Sequence, residues 1–332
     1  MKQTTRHLLA LLAALPSTAV FACASCGCSI NSDWSAQGVS ASAGWSLDLR
    51  LDDLNQNKLW SGTKAISAAA AAATIVPGTG DAAEVEQYTH NHYLTATLAY
   101  SDGEAWGLSL GLPTIRRTHS TLGVGSDGAS FDPANGAYTS AASGLGDLRV
   151  VGRWFGFSDL HNIGLQLGLK LPTGQKNQLA NDGVTPVDPG LQLGTGTTDL
   201  IVGGYVFGDL APDWGYFTQA TFQTALNHST MAGGSYKPGD SVGLSLGVRY
   251  TGLASFVTTL QLNARQAQVD SGAAADTYST GGKLVYLTLG GMLPLWESFV
   301  PYAHLQLPIY QNVNGIQLTP KVTLSVGVKV AF

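Results

Sequence analysis

Charged residues are scarce in this sequence of 332 residues. Asp, Glu, Lys and Arg together make up 12% of the chain, about half of their share in ordinary globular domains. The balance is acidic, with 17 basic and 22 acidic side chains and a formal net charge of −5. Nucleic-acid binding depends on clustered basic side chains, so this balance argues against a nucleic-acid partner.

Long apolar runs are also missing from the chain after its N-terminus. A transmembrane helix needs about 18 or more consecutive apolar residues, and the longest bland stretch covers only residues 68–73. The chain is nevertheless 44% hydrophobic and contains 41 glycines. A chain of this kind enters a membrane by spreading its apolar residues over one face of many strands.

The N-terminus has the pattern of an export signal. Lys2 and Arg6 make it basic, residues 8–15 form a short apolar core, and Val20 and Ala22 are small residues at the −3 and −1 positions of a cleavage site. The apolar core is too short to span a bilayer, which favours a signal peptide over residues 1–22 rather than a buried N-terminal helix. Cleavage would leave Cys23 as the first residue and a formal charge of −7.

Alternation of apolar with small or polar residues recurs along the whole chain, as in strands that have two different faces. Twelve strands are predicted, and an even number closes a single-chain barrel with both termini on one side. Five of them alternate clearly, at 45–51, 106–112, 163–171, 242–250 and 324–332. Seven are weaker, at 88–100, 146–155, 198–207, 215–226, 256–265, 283–293 and 299–309.

The connections between these strands alternate between short and long. Short turns lie at 101–104, 156–161, 208–214, 251–255 and 294–297, and long loops at 53–87, 116–145, 173–197, 227–240, 267–282 and 310–316. This order predicts an all-β fold: a transmembrane antiparallel up-and-down β-barrel of about 12 strands over residues 43–332, with short periplasmic turns and long extracellular loops. The alternative is a soluble β-sandwich, but its outer face would need far more charge.

The C-terminus has a pattern that indicates outer-membrane assembly. Ser325 and Gly327 are followed by Val330 and by Phe332 as the last residue. A terminal strand of this kind looks like the signal that the barrel-assembly machinery reads. We therefore expect the protein to lie in the outer membrane of a Gram-negative bacterium, among the lipids of that membrane.

Four segments resemble the outer-membrane barrel family named for the meta-pathway of phenol degradation. The segments are GLGDL at 144–148, LGLKLPTG at 167–174, GTGTTDL at 194–200 and PGDSVGL at 238–244. The resemblance covers roughly residues 144–332. It implies a barrel that acts as a channel for hydrophobic or aromatic compounds. The Ala-rich first loop and the cysteine-rich start depart from the family pattern.

The face opposite the leucines collects most of the charged residues of the predicted strands. If the leucines meet lipid, these charges line the lumen, where water or opposite charges can solvate them. We favour cross-strand ion pairs that fill the lumen over a positive lining that selects anions, because twelve strands leave a narrow bore. The predicted lining residues are Arg50, Arg149, Arg153, Lys170, Arg249, Arg265, Lys283, Lys329, Asp48 and Asp147, with Asp52 and Asp199 also on this side.

Cys23, Cys26 and Cys28 are the only cysteines, and all three lie in the predicted periplasmic segment at residues 23–42. Three thiols in an oxidising compartment suggest one disulfide and one remaining cysteine. Acylation of Cys23 and a metal site are the alternatives. Covalent haem attachment needs a histidine directly after the second cysteine of Cys-x-x-Cys. The residue after Cys26 is Gly27, which excludes it.

Two further patterns are weak candidates for chemistry. His90 and His92 share one face of a strand and form a possible pair of metal ligands, although a solvated barrel rim accounts for them better. The motif GLSLG occurs at 107–111 and 243–247, but a hydrolase serine needs a sharp strand-to-helix turn and both copies lie inside alternating strands.

These patterns together predict an outer-membrane channel or transporter for small solutes, including hydrophobic or aromatic compounds. They predict no catalytic residue and no cofactor, and we interpret the protein as a non-enzyme. The alternative is a barrel that does not transport. It would be a scaffold for a periplasmic redox or metal partner at the cysteine segment, or an outer-membrane hydrolase.

Overall fold

The computed structural model describes residues 36–38, 43–78, 83–122, 137, 139–253, 255–296 and 298–332. The predicted signal peptide and all three cysteines lie outside these residues. The strands of the described part are β1 (Gly44–Gly62), β2 (Lys64–Ala65), β3 (Val85–Ser101), β4 (Trp106–Leu122), β5 (Thr139–Leu145), β6 (Leu148–Trp154), β7 (Ile163–Leu171), β8 (Asp199–Ala211), β9 (Trp214–Ala225), β10 (Ser229–Met231), β11 (Gly234–Tyr236), β12 (Ser241–Leu253), β13 (Phe256–Ala267), β14 (Gly282–Met292) and β15 (Phe299–Ala331).

One short helix, α1 (Ala68–Ala72), lies in the first long loop. The Ser67 hydroxyl caps it by accepting a hydrogen bond from the Ala70 amide at 3.2 Å. In the part of the chain that the structure describes, no helix is long and apolar enough to cross a membrane.

The strands form a closed antiparallel ring. Its order is β1, β3, β4, β6, β7, β8, β9, β12, β13, β14 and β15, and β15 pairs with β1 to complete the circle. Two strands of the same sheet lie outside this ring, where β2 pairs with β1 and β5 pairs with β4. The short strands β10 and β11 pair with each other in a separate sheet. Closure satisfies the backbone hydrogen bonds of every strand, which is the condition for a sheet to exist in lipid. The predicted barrel is therefore confirmed, and the soluble sandwich is excluded.

The last strand, β15, crosses the barrel twice. It contains 33 residues, which would extend about 110 Å if straight, compared with about 60 Å for β1. Val313 of β15 is opposite both Gly282 at the start of β14 and Gly62 at the end of β1. The chain therefore turns back near Gly315, where φ is +49°. The eleven strands of the ring thus provide twelve crossings, the even number that the sequence predicts.

The sheet is apolar on its outer face and polar on its inner face, which is the reverse of a soluble protein. Leucines point outward and remain exposed, as at Leu167 with 63% of its surface accessible. Polar side chains point inward and are buried, as at Ser325 with 0% accessible. An apolar surface on this scale is stable only in contact with lipid, which makes the outer face the membrane-facing one.

Aromatic residues form a girdle at the end of the barrel that carries the short turns, which we name the short-turn end. The ring centroids of Trp45 and Tyr100 are 5.2 Å apart, and those of Tyr100 and Trp106 are 5.5 Å apart. Phe332 joins this end, because its carbonyl oxygen accepts a hydrogen bond from the Trp45 amide at 3.1 Å. Aromatic girdles of this kind mark the level of the lipid headgroups.

Strands β1 and β4 extend further than the sequence predicts at the opposite end, which we name the long-loop end. β1 continues to Gly62 and β4 to Leu122, although loops were expected from residues 53 and 116. Outward-facing residues there are polar, such as Asp53, which is opposite His92. Beyond the lipid the outer face meets water, and the apolar alternation disappears while the backbone pairing continues.

Leu246→Arg is expected to lower the free energy of unfolding by about 2–4 kcal/mol, because the new charge faces lipid. The matched control is Ser245→Arg, which places the same charge one residue away on the inner face. The measurement is reversible folding in lipid vesicles. Equal losses in both variants would contradict the assignment of the two faces.

Phe332→Ala is expected to reduce the fraction of folded barrel in the outer membrane, because it removes the terminal aromatic that we assign to assembly recognition and keeps the backbone contact with Trp45. Heat-dependent gel migration of the membrane fraction reports the folded fraction. Phe299→Ala is the control for loss of an aromatic at the same end. If both variants assemble equally well or equally poorly, Phe332 has no special role in assembly.

Candidate functional site: the barrel lumen

Nine of the ten predicted lining residues point into the barrel. Residues that are directly opposite each other in neighbouring strands share a face, so the register fixes their direction. Arg149, for example, is opposite both Gly111 and Lys170. The nine are Asp48, Arg50, Asp147, Arg149, Arg153, Lys170, Arg249, Arg265 and Lys329.

Lys283 is the exception, and the prediction that it lines the lumen is wrong. It is opposite Gln266 in β13, whereas its neighbour Leu284 is opposite the inward-facing Arg265 and is 1% accessible. The sequence around it is apolar on both faces, so alternation did not reveal the direction. Lys283 lies at the long-loop end of β14, where an outward lysine can reach water beyond the lipid.

Lys170 forms the centre of a buried ion cluster. Its ammonium nitrogen is 2.9 Å from the Asp199 carboxylate and 3.3 Å from the Asp147 carboxylate. All three side chains are less than 9% accessible. A buried charge is stable only when it is paired and hydrogen-bonded, and here two carboxylates share one ammonium.

Three of the four segments that carry the family resemblance meet around this cluster. Asp147 accepts hydrogen bonds from the amides of Gly174 and Thr195, both at 3.0 Å. The backbones come so close that a Cβ on Gly174 would lie 2.8 Å from the Cα of Gly194 and 3.0 Å from that of Gly146. The glycines in GLGDL, LPTG and GTGTTD thus allow three chain segments to pack around one carboxylate.

A second ionic group joins the first and last strands of the ring. The guanidinium of Arg50 is 2.9 Å from the carboxylate of Asp52, which also accepts a hydrogen bond from the Ser325 hydroxyl. The Tyr302 hydroxyl donates to Asp48 at 2.7 Å. The contacts of Ser325 and Tyr302 run from β15 to β1, so they support the closure.

Arg149 differs from these residues because it faces inward and is nevertheless exposed to solvent. Opposite it, Gly111 leaves room: a Cβ there would touch only the Thr97 hydroxyl, at 3.5 Å. Since the strand wall is closed, the exposed surface of Arg149 faces the lumen. The middle of the barrel therefore has open space beside Arg149, which we name the chamber.

Arg117 anchors a loop across the long-loop end of this chamber. Its guanidinium donates to the carbonyl oxygens of Gly190 and Gln192 at 3.3 and 3.1 Å and to the Tyr93 hydroxyl at 2.9 Å. Leu193 of the same loop packs against Ile115 and Ala142 on the inner face. The loop at residues 172–198 thus folds inward over the lumen.

The sequence missed Arg117 because residues from 116 onward were expected to form a loop. One signal was available. Arg117 is an even number of residues from Gly107, Ser109 and Gly111, so it lies on the same inner face of the strand.

Residues 36–38 close the short-turn end. Ala36 is buried against Phe155 and Tyr205, and the Gln37 carbonyl oxygen accepts a hydrogen bond from Arg249. Arg249 also lies 3.1 Å from the Asp209 carboxylate. The guanidinium that the sequence assigned to the lining therefore holds the segment that precedes the barrel.

His90 and His92 share the outer face of β3, as predicted. The Nδ1 atom of His92 is 3.0 Å from a carboxylate oxygen of Asp53, and the His90 ring packs against Tyr88 at a centroid distance of 5.2 Å. Among the described residues, no group of three or more His, Cys, Asp or Glu side chains is placed to hold a metal ion.

Comparison with known proteins shows the fold but no family. No protein-family model matches the chain, and no curated protein matches it in sequence. An outer membrane channel from Pseudomonas putida F1 has a similar structure, with a TM-score of 0.61 and 12% identity over 88% of this chain and 96% of that chain.

Two further solved structures are less similar. The CymD monoaromatic hydrocarbon channel is 11% identical, with a TM-score of 0.47 over 94% of this chain and 97% of that one. The Pseudomonas putida toluene transporter TodX is 10% identical, with a TM-score of 0.47 over 89% and 92%. The likeness to the Pseudomonas putida F1 channel, at 12% identity, shows the barrel fold alone.

Arg117→Ala is expected to expose the inward-folded loop to protease, because its carbonyl oxygens lose their donors. The measurement is the rate of tryptic cleavage after Lys176 in the folded, membrane-inserted protein. Arg116→Ala, on the outer face of the same strand, removes one arginine without touching the loop. Identical cleavage rates in the two variants would show that Arg117 does not anchor the loop.

Proposed function

We propose that this protein is an outer-membrane channel for small solutes. The observation that carries the proposal is the exposed, inward-facing Arg149 in a closed ring of strands. It requires water in the middle of the barrel, and a water-filled lumen is what a channel needs. Eight-stranded barrels are filled by side chains and barrels of 16–18 strands hold wide pores, so twelve crossings suit small solutes.

The two closures fit a gated pathway. In each of them an inner-face guanidinium binds backbone carbonyl oxygen, Arg117 at one end and Arg249 at the other. Such contacts can break and re-form without disturbing the strand ladder. We propose that solutes pass when the inward-folded loop and residues 36–38 move aside.

The cargo class rests on the resemblance to barrels of phenol degradation. It extends the proposal to hydrophobic or aromatic compounds. We place the long-loop end outside the cell and the short-turn end in the periplasm, following the usual arrangement of outer-membrane barrels.

A scaffold role remains the second candidate, because residues 36–38 sit inside the short-turn end. The segment before them, with Cys23, Cys26 and Cys28, would then meet a partner in the periplasm. A hydrolase has less support. The Ser109 hydroxyl donates to the Val151 carbonyl oxygen at 3.2 Å within the sheet, and both GLSLG motifs lie in strands of the ring.

The test is conductance in a planar lipid bilayer. We expect small, gated currents from the wild type, and longer open times in Arg249→Ala, because residues 36–38 lose their anchor. Lys283→Ala, on the outer face, is the control. A barrel that carries no current in the wild type, in Arg249→Ala or in Arg117→Ala would contradict the channel function.

A further inference from the structure

Not every basic side chain around the chamber is paired with a carboxylate. Lys170 engages both Asp147 and Asp199, and Arg50 engages Asp52. Lys170 and Asp199 pair across β7 and β8, whereas Arg50 and Asp52 both lie in β1. Arg149 is different: among the described residues, no hydrogen bond or ion pair is formed by its guanidinium.

The carboxylates nearest to Arg149 are already occupied. Asp199 accepts hydrogen bonds from the Thr197 hydroxyl and the Gln223 amide, both at 2.6 Å, in addition to its contact with Lys170. Asp147 accepts from two backbone amides and from the Thr195 hydroxyl at 3.0 Å. Little acceptor capacity remains on either side chain for a further cation.

Other guanidinium groups add to the positive charge. Arg265 and Arg50 both act on Arg149 electrostatically and repel it, whereas Asp147 and Asp199 attract it. Arg265 comes from β13 and Arg50 from β1, so the three guanidinium groups reach the lumen from different parts of the ring. A narrow aqueous space with walls of low dielectric constant concentrates the field of such a cluster.

One side of Arg149 is lined by small residues. Gly111 is directly opposite it in β4, and Ser109 of the same strand lies on the same inner face. A Cβ on Gly111 would meet only the Thr97 hydroxyl, at 3.5 Å. The guanidinium is thus accessible to a solute in the chamber.

We propose that the chamber selects small anions, carboxylates above all, and that Arg149 is the residue that binds the passing anion. The planar guanidinium presents paired N–H donors that match a carboxylate, and Arg149 has no hydrogen-bond or ion-pair partner among the described residues that must first be displaced. This inference rests on the proposed channel function, for which it names the solute class. Under it, an aromatic cargo would carry an acidic group.

The test is ion selectivity in planar bilayers under a gradient of potassium chloride and then of potassium acetate. The reversal potential of the wild type is expected to show preference for the anion in both salts. Arg149→Glu should lower the anion-to-cation permeability ratio by about tenfold, which corresponds to about 1.4 kcal/mol. Arg149→Lys should keep the sign of the selectivity.

Lys283→Glu makes the same change of charge on the outer face, and its selectivity should equal that of the wild type. Heat-dependent gel migration verifies that each variant is folded, and Arg149→Gln, with an intermediate effect, replaces Arg149→Glu if the latter fails to fold. A current that prefers cations in the wild type, or equal shifts in Arg149→Glu and Lys283→Glu, would overturn anion selection while leaving the channel intact. Absence of current in the wild type and in Arg117→Ala would instead overturn the channel, and the inference with it.

Discussion

The structure depends on the pairing of the last strand with the first. Ladder bonds from Ser46, opposite Ala331, to Gly62, opposite Val313, close the ring, and no edge remains whose backbone groups would be left unsatisfied in lipid. Closure divides the side chains of every strand between two environments. Leucine and valine are stable on the outside, and every charge that the strands carry must be accommodated on the inside or beyond the lipid.

The basic side chains on the inner face are stabilised in three ways. Lys170 is neutralised by Asp147 and Asp199 and holds together three segments that the chain brings from different places. Arg117 and Arg249 bind backbone carbonyl oxygens and close the two ends. Arg149 faces inward and is exposed, and in the channel that we propose water solvates it. Basic side chains on one face of the barrel thus stabilise the wall and anchor the closures, and in the channel that we propose one of them contacts the solute.

The sequence predicts the barrel well and its closures poorly, for a physical reason. Lipid imposes an apolar period of two on each crossing, so the twelve crossings can be read from local sequence. The period fails where water replaces lipid, as at Asp53 and Arg117, and where both faces are apolar, as at Lys283. The contact between Gln37 and Arg249 joins residues 212 positions apart, and nothing local in either segment indicates it.

The central claim is that the lumen holds water at mid-height inside a wall that excludes it. The most direct measurement is labelling by a membrane-impermeant thiol reagent in a protein whose three native cysteines are replaced by serine, folded in a lipid bilayer. Arg149→Cys places a thiol on the inner face, and Val150→Cys places one on the adjacent outer face. The account predicts modification of the first and protection of the second. Protection of both thiols, or equal modification of both, would contradict it.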